Sequence, residues 1–352
     1  MKFFLKRLYA YSKLAFFSFW FLIAFYAVSF LADLVVPYHY DFQMREKAFH
    51  PPVRIHLCDS EGRWHIRPFV YNYRVVDPVF NTYSEDVSQI YPIRFFCHGP
   101  QRKLFGLFPT DRYLFGVEKP AGIFLFGADM YGRDIFSRIL YGGRISLSIS
   151  LIGVLFAFFL GLLAGGIAGY FGGTADQVMM RFSEVLMVFP SFYLMLALRA
   201  TFPLNLTSLQ VYFLIVFILS FIGWAGFARI IRGMVLSLKE EEYVLAARSL
   251  GISHLRILTR HIIPNTFSYT VTALTISVPG YIVGESALSL IGLGIQEPYP
   301  SWGNILASTI GNIRVLSDAP WMLIAGGFIF LVLINFNFLG DALRAVFDPK
   351  NW

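Results

Sequence analysis

The chain of 352 residues is 56% apolar, 18% aromatic and only 14% charged, with a net charge of +7. A soluble domain is about a quarter charged, so these figures exclude a disordered chain and an ordinary soluble globular enzyme and place much of the sequence in lipid. In such a chain a surplus of Lys and Arg marks one face of a membrane rather than a nucleic-acid partner.

The first apolar run is Leu14 to Val36, with Asp33 near its end. Lys2, Lys6, Arg7 and Lys13 precede it and place the N-terminus in the cytoplasm. The run is longer than the roughly 7–15 apolar residues of a cleaved signal peptide and reads as a retained span.

Residues 37–144 carry 25 charged residues in 108, the composition of a soluble domain. Val53, Ile55 and Leu57 alternate with polar residues, Asp59 to Gly62 makes a turn, and Trp64, Ile66 and Phe69 follow. This predicts a β-hairpin. Tyr91 to Cys97 is a further expected strand, so the segment reads as a β-rich external insert. Its Cys58 and Cys97 are the only cysteines, too few for a four-Cys zinc site. Outside the membrane they either form a disulfide or stay as two buried thiols. Five histidines also lie here, none at the helical i, i+4 spacing of a metal pair, and no metal site is expected.

Five more spans follow. Ile145 to Phe171 holds Gly153, Gly161, Gly165, Gly166 and Gly169, a spacing that lets helices approach closely in a bilayer. Gln177 to Thr201 carries Arg181, Glu184 and Arg199. Arg181 and Glu184 share a helix face and can pair, either near the mouth of a transmembrane path or as a structural ion pair near the membrane edge. Leu209 to Ile231 is next. Phe267 to Ile291 contains Glu285, which either lines a path or packs through hydrogen bonds. Trp321 to Leu339 is the last. Pro190 and Pro279 are expected to interrupt their spans. Six crossings put both termini on one side. The basic segment Arg229 to Arg260 falls on the cytoplasmic face, and loops 202–208 and 292–320 hold only Arg314 among Lys and Arg. The fold class is an all-α integral membrane protein of six helices with a β-rich insert between helices 1 and 2.

The stretch Glu240 to Asn265 is unusually polar for this chain. Three acids suit the positive end of a helix dipole. Tyr243 to Leu250 has helix formers, Gly251 suits the position after a helix end, Ser253 can cap a second helix to about Ile263, and Pro264 ends it. Two short helices with a glycine elbow form a knob on the cytoplasmic face. The chain has no G-x-x-x-x-G-K-[ST], H-E-x-x-H or G-x-S-x-G motif.

Ala246-Ala247, Gly251 and Pro264, thirteen residues after that glycine, resemble the coupling loop of binding-protein-dependent ABC importer permeases. The leading Glu of that pattern falls on Leu245 here. Phe126-Gly-Ala-Asp-Met-Tyr-Gly-Arg-Asp134, Ser137-Arg138 and Tyr141-Gly-Gly-Arg-Ile-Ser146 are similar to the dipeptide/oligopeptide subfamily. So are Gly169-Tyr-Phe-Gly-Gly173, Phe189-Pro-Ser191, Gly223-Trp224, Pro300-Ser-Trp-Gly-Asn304 and Phe336 to Asp341, with Asp348-Pro349 closing the match. The resemblance divides the chain into 1–36 (N-terminus and helix 1), 37–123 (external insert) and 124–352 (permease core with coupling loop 240–265).

It implies a pore subunit of an ATP-driven importer in the bacterial inner membrane, working by alternating access. The implied substrates are peptides or related small solutes, since relatives carry dipeptides, longer or modified peptides and nickel complexes. The implied partners are a second permease subunit, two ATP-binding subunits and an external solute-binding protein. ATP is expected on the ATPases and no cofactor on this chain. Glu242, Ala246, Ala247, Gly251, Ser253, Arg256 and Pro264 would meet the ATPase, and Arg181, Glu184 and Glu285 would serve the path or gate. The rival readings are a scaffold or receptor without transport, and a membrane-embedded enzyme, for which no nucleophile–base set is present.

Overall fold

The computed structural model describes residues 2–77, 80–104, 108–203, 205–311 and 313–347. Lys350 and the Asp348-Pro349 end of the resemblance lie outside them. The elements run α1 (Lys2–Tyr11), α2 (Lys13–Phe30), α3 (Ala32–Val35), β1 (His56–Cys58), β2 (Trp64–Asp77), β3 (Thr82–Pro92), β4 (Arg94–Leu104) and β5 (Phe108–Gly116), then α4 (Ile135–Phe171), α5 (Gly173–Val188), α6 (Ser191–Ala200), α7 (Ser208–Leu238), α8 (Glu242–Ser249) and α9 (His254–Ile257). They close with α10 (Phe267–Leu290), α11 (Trp302–Ile310), α12 (Ile313–Asp318) and α13 (Ile324–Val346).

Among the described residues five helices are long and apolar enough to cross a bilayer, or six if the bent pair α5–α6 is one span. That pair is the break expected at Pro190 in the third span, and the axis turns there by 95°. Pro190 stands at the break as the residue before α6, where its missing N–H and the restriction on the residue before it both disfavour a continuing helix. Pro279 behaves differently and sits inside an unbroken α10.

The chain divides into two compact units. One comprises residues 23–147 and 289–330 and holds the insert. β1, β2 and β3 form an antiparallel sheet in that order, and β4 pairs with β5 in a second one. The expected hairpin is β1–β2, with Cys58 opposite Trp64. The Asp59 carboxylate accepts from the Glu61 and Arg63 amides at 3.0 and 2.9 Å and closes the turn. Ile93 divides β3 from β4, donating to the Pro68 carbonyl at 2.8 Å, and joins the apolar core with Val53, Val70, Ile123 and Phe124.

The disulfide alternative is not realised. Cys58 and Cys97 are free, half-buried thiols on strands of different sheets. The Cys97 thiol lies 3.1 Å from the Arg94 carbonyl, so it is held on its own strand. The histidines are engaged singly, His56 on Glu85, His65 on Asp59 and His98 on Asp111.

In the same unit α4 begins ten residues before the apolar run. Asp134 caps it, accepting from the Ser137 amide at 2.8 Å. Trp302 is fully buried, its indole donating to the Ile139 carbonyl at 3.0 Å.

The second unit comprises residues 1–22, 148–288 and 331–352 and holds the polar loop. Its packing follows the expected glycine spacing. Gly161, Gly165 and Gly169 lie one turn apart along α4 against α7, and a methyl group on Gly165 would stand 2.4 Å from the Ala228 carbonyl oxygen. With no hydrophobic drive between helices in lipid, such close backbone contact is what holds spans together.

Candidate functional site

The loop between α7 and α10 folds as a knob. α8 buries Val244 and Ala247 and leaves Ala246 exposed. Its end is a complete Schellman closure: the Gly251 amide donates to the Arg248 carbonyl at 2.9 Å and the Ile252 amide to the Ala247 carbonyl at 3.2 Å. Gly251 adopts φ +74°, the left-handed region that costs an L side chain roughly 1–2 kcal/mol.

Two details correct the sequence expectation. Ser253 occupies the cap position of α9 but makes no side-chain cap bond. Pro264 does not end the second helix. α9 passes through a wide π-type turn at Leu258–Ile262 and a 3₁₀ turn at Ile263–Thr266 into α10, so His254 to Leu290 is one helical run. Pro264 falls in the first turn of the 3₁₀ segment, directly after the wide turn, where the hydrogen-bond pattern of the run changes.

Among the expected coupling residues, Glu242, Ala246, Gly251, Ser253, Arg256 and Pro264 are exposed, and Ala247 is buried beneath them. Beside them stand three exposed leucines to which the sequence assigned no contact. Leu245 and Leu255 are exposed, and Leu250 is 80% exposed. Their signal in the sequence was apolar side chains in an otherwise polar loop.

Side chains fix the knob to the helices around it. The Tyr170 hydroxyl at the end of α4 lies 2.9 Å from His254 Nδ1, and the Arg248 guanidinium sits 5.3 Å over the same tyrosine ring. The Asn265 amide donates to the Tyr243 hydroxyl at 3.0 Å and to the His261 carbonyl at 2.7 Å. Arg232 of α7 holds both carboxylate oxygens of Asp176 of α5, one at 2.6 Å. Tyr170→Phe keeps the ring under Arg248 and removes one hydrogen bond, worth about 0.5–1.5 kcal/mol. A slightly lower melting temperature of the detergent-solubilised chain is expected, with insertion unchanged. An unchanged melting temperature would show that this clamp does not anchor the knob.

A cavity of about 670 Å³ opens beside the knob, walled by α7, α10 and the end of α13. Phe227, Ile230 and Met234 give one wall, Ser268 and Thr272 another, and the exposed Arg344 stands among the lining residues. Arg181, Glu184 and Glu285 are not in its lining. Arg181 and Glu184 do pair, at 3.2 Å, but on the surface, with Arg181 85% exposed. Glu285 is fully buried within α10.

In the other unit the segment Phe126 to Arg138 builds a buried charge cluster with Glu297, which lies far off in sequence. Arg133 Nε donates to Asp129 at 2.7 Å and its terminal nitrogen to Glu297 at 2.6 Å, while Arg138 donates to Glu297 at 2.8 Å. The two arginine side chains are only 5% and 3% exposed. The acids neutralise them, which is the condition for burying such groups.

Residues 157–352 match the model of the binding-protein-dependent transport system inner membrane component family. The chain belongs to that family. Residues 5–52 match the N-terminal transmembrane domain of oligopeptide transport permease C. The chain is 42% identical over 231 residues to an oligopeptide transport system permease protein of Haemophilus influenzae, covering 65% of this chain and 71% of that one. It is 40% identical over 232 residues to a dipeptide transport system permease protein of Bacillus subtilis, covering 66% and 70%. The inward-facing MetNI methionine ABC transporter matches 60% of this chain and 97% of its own at 17% identity and a TM-score of 0.45. As a member of the family matched by residues 157–352, the protein is a membrane-spanning transport component.

Proposed function

We propose that this permease forms half of the pore of an importer for peptides or related small solutes, driven by ATPase subunits that seat on the knob. The observation that carries this is the knob itself: an exposed leucine-bearing surface around Gly251, locked to α4 through Tyr170 and His254 and continuous with α10. A part that receives force must be stiff and joined to what it moves. The permease relatives named for oligopeptides and dipeptides support the substrate class.

In this reading the basic N-terminal residues and the segment Arg229 to Arg260 lie in the cytoplasm, and the β-rich insert lies outside. The complex holds a second permease subunit, two ATPases and an external solute-binding protein. ATP binds the ATPases, and this chain carries no cofactor. ATPase closure pushes the knob, α10 shifts with it, and the cavity beside α7 and α10 takes the solute on its way through. Arg344 there suits a carboxylate.

Affinity purification of the full chain from its own membrane should bring down an ATPase in stoichiometric amount, with hydrolysis stimulated by a loaded external binding protein. A complex without any ATPase would instead favour a scaffold or receptor.

A further inference from the structure

The unit that carries the insert contains a second cavity, of about 680 Å³, in the size range of a small-ligand site. Its walls come from the segment just after α2, from α4, from β4 and from the loop before α11. α2 and α4 are both long and apolar enough to cross a bilayer. Asp33 follows the end of α2, and Arg144 donates to Asp33 at 2.9 Å and to the Phe30 carbonyl at 2.7 Å. The cavity therefore lies just past the end of the first apolar helix, and a span that ends there meets the head groups of the lipid.

Its chemistry is divided. On one side Tyr40 packs against Tyr141 and Tyr299 with ring centres 5.1 and 5.5 Å apart, and Asp41 lies beside them. Ring faces and a carboxylate together attract an ammonium group. On the other side stand Arg144 and Arg102. Arg102 is nine-tenths buried. Its terminal nitrogens donate to the Val36 and Pro37 carbonyls at 2.8 and 2.6 Å, while its buried Nε–H has no acceptor among the described residues. A buried donor left unsatisfied is costly, and an anion is the partner a guanidinium fits best.

We infer that this cavity binds the zwitterionic head group of an ethanolamine phospholipid, phosphate towards Arg102 and Arg144 and ammonium between Tyr40, Tyr299 and Asp41. A primary ammonium is favoured over a quaternary one because Asp41 and the tyrosine hydroxyls accept hydrogen bonds. The lipid source is favoured over a free solute by the position at the membrane surface, where tyrosine and arginine side chains meet head groups. The inference rests on the membrane-spanning fold alone and stands whatever solute the permease carries.

The test uses the full-length chain with whatever subunits accompany it, in nanodiscs of equal parts phosphatidylethanolamine, phosphatidylcholine and phosphatidylglycerol. Native mass spectrometry reads which lipid is retained. Phosphatidylethanolamine should be enriched about tenfold over the others, and Asp41→Asn or Tyr299→Leu should each cut that enrichment about tenfold. Asp41 is half-exposed, so its variant is not expected to disturb folding. Equal retention of all three lipids would overturn the inference, as would an enrichment that both variants leave intact. Release of the lipid by a millimolar dipeptide would also overturn it, showing a solute site instead.

Discussion

Gly251→Asp is expected to abolish solute-dependent ATP hydrolysis and uptake while the chain still inserts and still binds its partners. A side chain at φ +74° strains the turn that sets the angle between α8 and α9, by roughly 1–2 kcal/mol. The new Cβ meets no atom within 4 Å, so the damage is confined to the direction of the chain and to a negative charge on the docking surface. Leu250→Asp tests the surface without the strain, and the same loss of coupling is expected. ATPase stimulation measured in proteoliposomes decides both. Normal coupling in both variants would remove the knob as the point of drive. The result is separable from the Tyr170→Phe test, which leaves the docking surface untouched and probes only its anchorage.

Arg133→Met should strongly destabilise the unit that holds the insert. It leaves Asp129 with only the more distant Arg138 guanidinium, at 3.8 Å, and Glu297 with one arginine instead of two, and removing one member of a buried charge group costs about 3–5 kcal/mol. The expected readout is a markedly lower melting temperature of the detergent-solubilised chain and a poor yield. Glu297→Gln should cost far less, since that side chain is 45% exposed. An Arg133→Met protein as stable as wild type would show that the cluster contributes nothing. Acid pH gives a second handle. Burial pushes the Glu297 carboxyl up, but Arg138 and Arg133 prevail and hold it below the usual range. Its share of the stability is therefore present above the ordinary glutamate value and fades as pH falls through the lowered one. Glu297→Gln should flatten that loss.

The parts legible in the sequence were those governed by local rules. Apolar runs gave the spans, glycine spacing gave the contact of α4 with α7, and Gly251 gave the elbow of the knob. Alternation gave β1 and the start of β2. The strands from β3 to β5 were harder to read because polar residues occupy both faces of an exposed hairpin. α4 began earlier than expected because Arg138 and Arg144 lower the hydropathy of its first turns, and both are compensated by acids distant in sequence, Glu297 and Asp33. The same limit hid the clamp, since Tyr170 and His254 are 84 residues apart. Pro190 announced a break in the third span, but not that the chain turns by 95° there.

The wide turn at Leu258–Ile262 sets an angular phase. From it α10 runs on with Ser268, Thr272 and Ile276 lining the cavity at four-residue intervals, next to Tyr269, Ala273 and Ser277. One residue of α-helix is roughly 100° of rotation, so the extra residue in that turn indexes the cavity-lining stripe to the knob as a key indexes a shaft. Shortening the turn by a single residue would leave the length of the lever almost unchanged and swing the stripe away from the opening it lines.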